Sequence, residues 1–265
     1  MTSDLSQHFR SEEQPFVQQV QDWLMQCQAE YRMVLTPFLN PRERFIVDTL
    51  VNRLAEVQFV SSGIFDNAEM QRGLFLPSYM SADTVKTTDF ELKLLQIQYP
   101  QKFLEMRHST ILGSLMHNGI ERKSVGDIVT DGNDSWQLVT TDVVARYVQT
   151  HIERFGKVPV KFDEVDTEMA IQPKLNWELD DILTSSLRLD TIIANAFSLT
   201  RSQTKELVEN GQVKLNWAIQ KRAEFEVAAG DLISTRGFGR LQILSDNGLT
   251  RKDKHKLSVA KLKNR

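Results

Sequence analysis

Cysteine is almost missing from this sequence. The one cysteine among its 265 residues, Cys27, has no partner for an internal disulfide. That excludes a disulfide scaffold and fits a reducing, cytoplasmic setting. Long apolar runs are missing too: none reaches the roughly 18 residues that a membrane span needs. The first thirty residues carry Glu12, Glu13, Asp22 and Glu30 and show no apolar stretch of the signal-peptide kind. The histidines, at 8, 108, 117, 151 and 255, have no ligand spacing with Cys27, so no metal site is expected. Gly237-Phe238-Gly239 lacks the third glycine and the following helix of a nucleotide loop and reads as a plain turn. No cofactor and no small-molecule substrate are expected, and no internal repeat or low-complexity tract is visible.

What is present is an ordinary globular composition, 41% hydrophobic and 25% charged, with length for two or three modest domains. The net charge of −3 hides a division. Residues 188–265 hold 15 Lys and Arg against 8 Asp and Glu, so the remainder of the chain is acidic. Such a division suggests a basic module on an acidic body. Residues 251–265 carry seven basic side chains and one acid, Asp253. A segment of this kind contacts phosphate or is simply solvated, and charge alone leaves both open.

The pattern predicts an α+β chain in three blocks. Residues 1–82 form a small N-terminal α/β unit. Phe16, Val20, Trp23, Leu24 and Cys27 share one helical face. Asn40, Pro41 and Glu43 mark the start of a second helix, with Phe45, Ile46, Leu50 and Leu54 as its buried stripe. Strands are expected at Val57–Val60 and Gly73–Leu76. Residues 83–165 read as β-α-β-β-α-β, a ferredoxin-like, RRM-like domain. Its helices centre on Ile111–Leu115 (with Phe103 and Met106) and Val143–Ile152. An RRM binds RNA by stacking bases on sheet aromatics. Here Tyr99 and Trp136 are the only aromatics in the first three strands, and a core role for Trp136 is the competing reading. Residues 166–184, rich in acids and containing Pro173, read as a linker. Residues 185–250 form the third block, followed by a basic C-terminal tail, 251–265.

The third block holds the most specific signal. Leu189, Ile192, Ile193, Ala196 and Phe197 form a helical stripe, and Thr200-Arg201-Ser202-Gln203 is a capping box opening a second helix. Arg188 precedes the first helix. Arg201 and Lys205 lie one turn apart on the second. Ser202 and the free amides of that N-terminus suit a phosphate. Lys214 and Asn216 are expected on the polar face of the next strand. The set suits the backbone of structured RNA, with little base reading. Arg122 and Lys123 offer a further basic contact in the second block. Asp190 follows Arg188-Leu189 and is read as structural, holding the helix start, with no catalytic role.

Ser186-Leu187-Arg188-Leu189-Asp190, Thr200-Arg201-Ser202-Gln203, Glu209 to Asn216 and Gly230-Asp231-Leu232-Ile233 resemble the small RNA-binding domain first seen in ribosomal protein S4, an S4-like (αL) domain. Trp217 departs from that pattern, which often has Gly after the Asn. Val34-Leu35-Thr36-Pro37-Phe38-Leu39-Asn40-Pro41-Arg42-Glu43 and Gly119-Ile120-Glu121-Arg122-Lys123 with Gly126-Asp127-Ile128 resemble the bacterial YlmH family. Ser109 and Met70-Gln71 depart from its pattern. The resemblance implies an RNA-binding protein that associates with the large ribosomal subunit and tRNA, tied to rescue of stalled ribosomes, with an older link to cell division. The residues themselves show no catalytic centre, so a non-catalytic protein is expected. An RNA-modifying enzyme with an unrecognised site in the first two domains, or a division-associated interaction protein, are the alternatives.

Overall fold

Helix α1 (Gln14–Glu30) turns Val17, Val20, Leu24 and Cys27 inward, close to the expected stripe, while Phe16 and Trp23 pack at its edge. In a computed structural model, residue 9 and residues 13–52, 56–101, 106–172 and 177–263 are described. Leu54, Phe103 and Pro173 lie outside them. After α1 comes β1 (Val34–Leu39), a strand that the sequence reading did not separate from the helix start following it. Asn40 then caps α2 (Pro41–Val51) in a reciprocal box. Its side chain accepts from Glu43 N at 2.9 Å, and Glu43 Oε2 accepts from Asn40 N at 2.8 Å. The buried stripe of α2 is Ile46, Val47, Leu50 and Val51, and Phe45 is instead exposed, with the Arg42 guanidinium 5.1 Å from its ring centre. Phe45 falls on the outer side because the inward face of α2 is set one residue later. Strands β2 (Val57–Ser62) and β3 (Gln71–Pro77) complete an antiparallel sheet in the order β1-β3-β2. Pro37 cannot donate to the ladder, and the register of β1 shifts between Leu35 and Phe38.

The next run is β4 (Leu92–Gln98), α3 (His108–His117), β5 (Val125–Thr130), β6 (Trp136–Thr141), α4 (Asp142–His151), a two-residue hairpin β7 (Arg154–Phe155) and β8 (Val158–Pro159), then β9 (Lys161–Val165). Its antiparallel sheet has the order β5-β6-β4-β9. Side chains alternate between its two faces. Leu95, Ile97, Trp136 and Leu138 pack with Ile111 and Leu115 of α3 and Ala145 and Val148 of α4. Trp136 is therefore core. The opposite face, with Leu94, Val129 and Val139, is covered by Phe38, Phe65, Ala68 and Met70 from the first block and by Ala170 and Ile171. Gln137, buried on that face, donates to Met169 O and accepts from Ile171 N. The face on which an RRM stacks bases is thus occupied by protein.

This packing joins the first two blocks. Met1–Lys174 is one compact unit and Leu175–Arg265 a second. Polar contacts reinforce the first: Asp127 accepts from Glu69 N at 2.7 Å and Met70 N at 3.1 Å. Buried Arg72 donates to Thr36 O and Phe90 O, both at 2.9 Å. At Gly126 the ring of Phe38 comes so close that an added Cβ would sit 2.7 Å from it and 3.1 Å from Val139 O. Gly126→Ala should therefore destabilise the first unit by about 1–2 kcal/mol through overpacking, read as a lower urea midpoint. An unchanged midpoint would mean that Phe38 is not held there.

The second unit holds β10 (Glu178–Thr184), α5 (Leu189–Phe197), α6 (Arg201–Glu209), β11 (Val213–Leu215), β12 (Ala218–Ile219), β13 (Leu232–Thr235), β14 (Gly239–Leu249) and β15 (His255–Lys263). All of its strands form one sheet, ordered β10-β15-β14-β13-β11-β12. Two expectations are corrected here. Residues 178–184 are a strand and no linker, and residues 255–263 are an interior strand and no tail. Opposite charge brings them together: Lys261 Nζ lies 2.6 Å from Asp180 and Lys256 Nζ 3.0 Å from Asp181. The hydrogen bond from Lys261 holds the Asp180 carboxyl below its ordinary pKa, and that from Lys256 does the same for Asp181. Leu257 and Val259 face the core, with Leu189, Ile192, Ile193, Val208 and Ile233.

Candidate nucleic-acid interface

The helix pair of the second unit is set by its caps. Thr200 Oγ1 accepts from Gln203 N at 3.3 Å, and Gln203 Oε1 accepts from Thr200 N at 3.0 Å. The box closes the break after Ser198, which lies in the left-handed region, and starts α6 with Arg201 and Ser202 in its first turn. Arg188 stands at the N-cap of α5 without a side-chain cap of its own. Its backbone pairs with Glu226 in an isolated bridge. Asp190, two residues on, is almost completely buried.

Asp190 organises the basic edge. Arg188 donates to it twice, Nε to Oδ1 at 3.1 Å and Nη2 to Oδ2 at 2.7 Å. Arg201 Nε lies 3.6 Å from the same Oδ2. Thr191 Oγ1 donates to Oδ1 at 3.0 Å. Burial pushes the Asp190 carboxyl upward, but the hydrogen bonds from Arg188 and Thr191 and the charges of Arg188 and Arg201 outweigh it and hold the pKa below its ordinary value. One buried carboxylate thus gathers two guanidinium groups, from the starts of two helices, at one edge. The Asp190 side chain is 2% exposed, whereas those of Arg188 and Arg201 are 36% and 63% exposed. Arg188 keeps its Nη1 donors beyond those that Asp190 takes. Ser202 and Lys205 are exposed on α6, and Lys205 pairs loosely with Glu209 at 3.6 Å. Lys214 is exposed on β11, between buried Val213 and Leu215.

Two expected contacts have other roles. Asn216 does not lie on the strand face with Lys214. It adopts φ 47° and Trp217 φ 67°, together forming the tight turn into β12. Its side chain donates to Asp231 Oδ1 at 2.6 Å and accepts from Leu232 N at 2.9 Å. A two-residue hairpin needs left-handed residues, which Asn adopts readily and Trp only at a cost in strain. Asn216 is therefore held as a turn residue. Asn216→Ala should lower stability by about 1–2 kcal/mol, from two lost hydrogen bonds and a strained φ, while RNA affinity of the folded protein stays put. A fall in affinity without a fall in melting temperature would restore Asn216 as a contact. The Arg122 guanidinium turns back on its own chain and donates to Val125 O, with Asp127, Glu69 and Glu43 as the nearby acids. Both residues are exposed at the surface, but Arg122 spends a donor on its own turn.

The helix pair, its caps, and the Gly230–Ile233 strand entry define the chain as a protein with an S4-type domain. Residues 187–233 match the family model "S4 domain". Residues 12–80 match "YlmH, N-terminal" and residues 86–169 match "Putative RNA-binding domain in YlmH". The chain belongs to the YlmH family. It is 36% identical over 261 residues to the Ribosome-associated protein quality control protein P2 of Bacillus subtilis (strain 168), covering 98% of this chain and all of that protein. Among solved structures it resembles the Cell division protein ylmH from Streptococcus pneumoniae, with 31% identity and a TM-score of 0.54 over 62% of this chain and 98% of that one. Among the described residues, no helix is long and apolar enough to cross a membrane, and no group of three His, Cys, Asp or Glu is placed to hold a metal.

Proposed function

We propose that this chain is a non-catalytic, cytoplasmic RNA-binding protein that acts at the large ribosomal subunit, contacting rRNA or tRNA during rescue of stalled ribosomes. The observation that carries the reading is the Asp190-held arginine pair. Arg188 and Arg201 form a pre-organised clamp for phosphate, with Ser202, Lys205 and Lys214 beside it. The name of the Bacillus relative supports the ribosome as the setting. The central domain is best described as ferredoxin-like, since in chain order its main strands run first-to-last as β-α-β-β-α-β and pair as β5-β6-β4-β9. Its covered sheet face directs RNA to the C-terminal unit instead, with Lys123 as an accessory contact.

Four phosphate contacts give a slope of log K against log salt of about −3 to −4. Lys256 and Lys261 add little to it, because Asp181 and Asp180 already neutralise them. Fluorescence anisotropy of labelled 23S rRNA fragments between low and high salt tests this, and a flat response would overturn it. Arg201→Ala should weaken binding by about tenfold and flatten the slope by about one, alike for all RNAs. A loss confined to one base substitution would mean base reading instead.

The name of the pneumococcal relative favours a second reading, an interaction protein of cell division. A pull-down repeated after nuclease treatment separates the two, since division partners held by protein contacts survive digestion and RNA-bridged ones do not.

A further inference from the structure

Helix α6 has a second flank. Gln203, Glu206, Leu207 and Asn210 recur at i, i+3, i+4 and i+7, away from the face of Arg201 and Lys205. With Leu199, Gln212 and Phe238 they line a cleft of about 250 Å³. Phe238 reaches it from the turn between β13 and β14, its ring 6.2 Å from that of Phe197. Arg236 is exposed in the same turn. The cleft is smaller than the roughly 300–1,000 Å³ pockets of drug-sized ligands and suits one planar ring system. It has an aromatic ring and two leucines for faces, with amides and a carboxylate for edges. Glu206 only accepts hydrogen bonds and repels phosphate, so an anion does not belong there. A base edge bearing N–H donors does.

We propose that this cleft takes one unpaired nucleobase of the bound RNA, stacked against Phe238 and held at its edge by Glu206, Asn210 and Gln212. The inference rests on the RNA-binding reading and deepens it. Arg188, Arg201 and Lys205 hold the backbone from one side of α6, and the base inserted on the other fixes where along the RNA the protein stops. The domain then prefers a duplex interrupted by a bulge to a continuous one.

The test uses the full chain and two fluorescein-labelled RNA hairpins, alike except that one has a single-nucleotide bulge. The bulged hairpin should bind about tenfold more tightly, in line with the gain of one base–aromatic stack. Phe238→Leu keeps the apolar volume and removes the ring face. It should cut the preference to twofold or less, leaving affinity for the paired hairpin unchanged. Gln212→Ala, outside the apolar core, should reduce the preference part of the way and guards against a folding defect in the first variant. Equal binding of both hairpins by the wild type, or equal weakening of both by Phe238→Leu in a protein that melts normally, overturns the cleft while the RNA reading stands. No binding to either hairpin overturns both.

Discussion

Arg188→Ala should destabilise the C-terminal unit as well as weaken RNA binding by about tenfold or more. Removing the arginine strands the charge of its partner, the buried Asp190 carboxylate. The loss is softened because the Arg188 side chain is 36% exposed and water can follow it in. Asp190 would retain Thr191 and a distant Arg201, 3.6 Å away, which do not replace two short guanidinium hydrogen bonds. Arg201→Ala leaves the Arg188 pair intact, so its effect falls on binding with little on melting. The contrast between two arginines that touch one carboxylate is the useful part. Urea denaturation followed by hydrogen exchange at the α5 amides reads the stability, and anisotropy reads the binding. Equal melting of the two variants would mean that Asp190 does not depend on Arg188.

Asp190→Asn should have the next largest effect. The substitution keeps size and loses charge, so the charge-assisted hydrogen bonds weaken and the new amide donors face the guanidinium donors. The expected cost is about 1.5–3 kcal/mol. Binding should fall by about tenfold, because the arginines lose the order that prepared them for phosphate. The acid profile carries a separate signature. The folded pKa of Asp190 lies below the unfolded value of roughly 3.9. Its contribution to stability is therefore fully present above about pH 4 and is lost as pH falls through the folded value. The gap between wild type and Asp190→Asn should be wide at pH 7 and shrink progressively as pH falls below about 4. A constant gap would show that the carboxylate charge is not what stabilises the site.

Local signals carried much of this structure. The boxes at Asn40–Glu43 and Thr200–Gln203 were readable because a cap is a contact across three residues. The helical stripes of α1 and α5 were readable for the same reason of short range. Strand β1 was obscured by Pro37, which argues against a strand until the bulge that accommodates it is seen. Strands β10 and β15 were hidden by charge. Their acids and lysines looked like a linker and a tail, because cross-strand ion pairs join residues as far apart as Asp180 and Lys261. The apolar alternation Leu257, Val259 lay under that charge. The merging of two blocks into one unit was likewise out of reach, since it depends on Phe38 meeting Gly126 and Asp127 meeting the 69–70 backbone. At the candidate site the basic residues were legible by type. The gathering role of Asp190 needed three dimensions, although its place two residues after Arg188 was a signal. The turn role of Asn216 could have been suspected from its pairing with Trp217, where glycine was the expected neighbour.

The central claim is that the Asp190-held arginine edge ties this protein to the large ribosomal subunit. Sedimentation of the tagged full chain through a sucrose gradient, from gently lysed cells at low and high salt, tests it most directly. The account predicts co-migration with the large subunit at low salt, loss of it at high salt, and loss at low salt for Arg201→Ala combined with Lys205→Ala, a variant that leaves the Arg188–Asp190 pair in place. Wild type and variant both remaining at the top of the gradient, or both co-migrating regardless of salt, would contradict it.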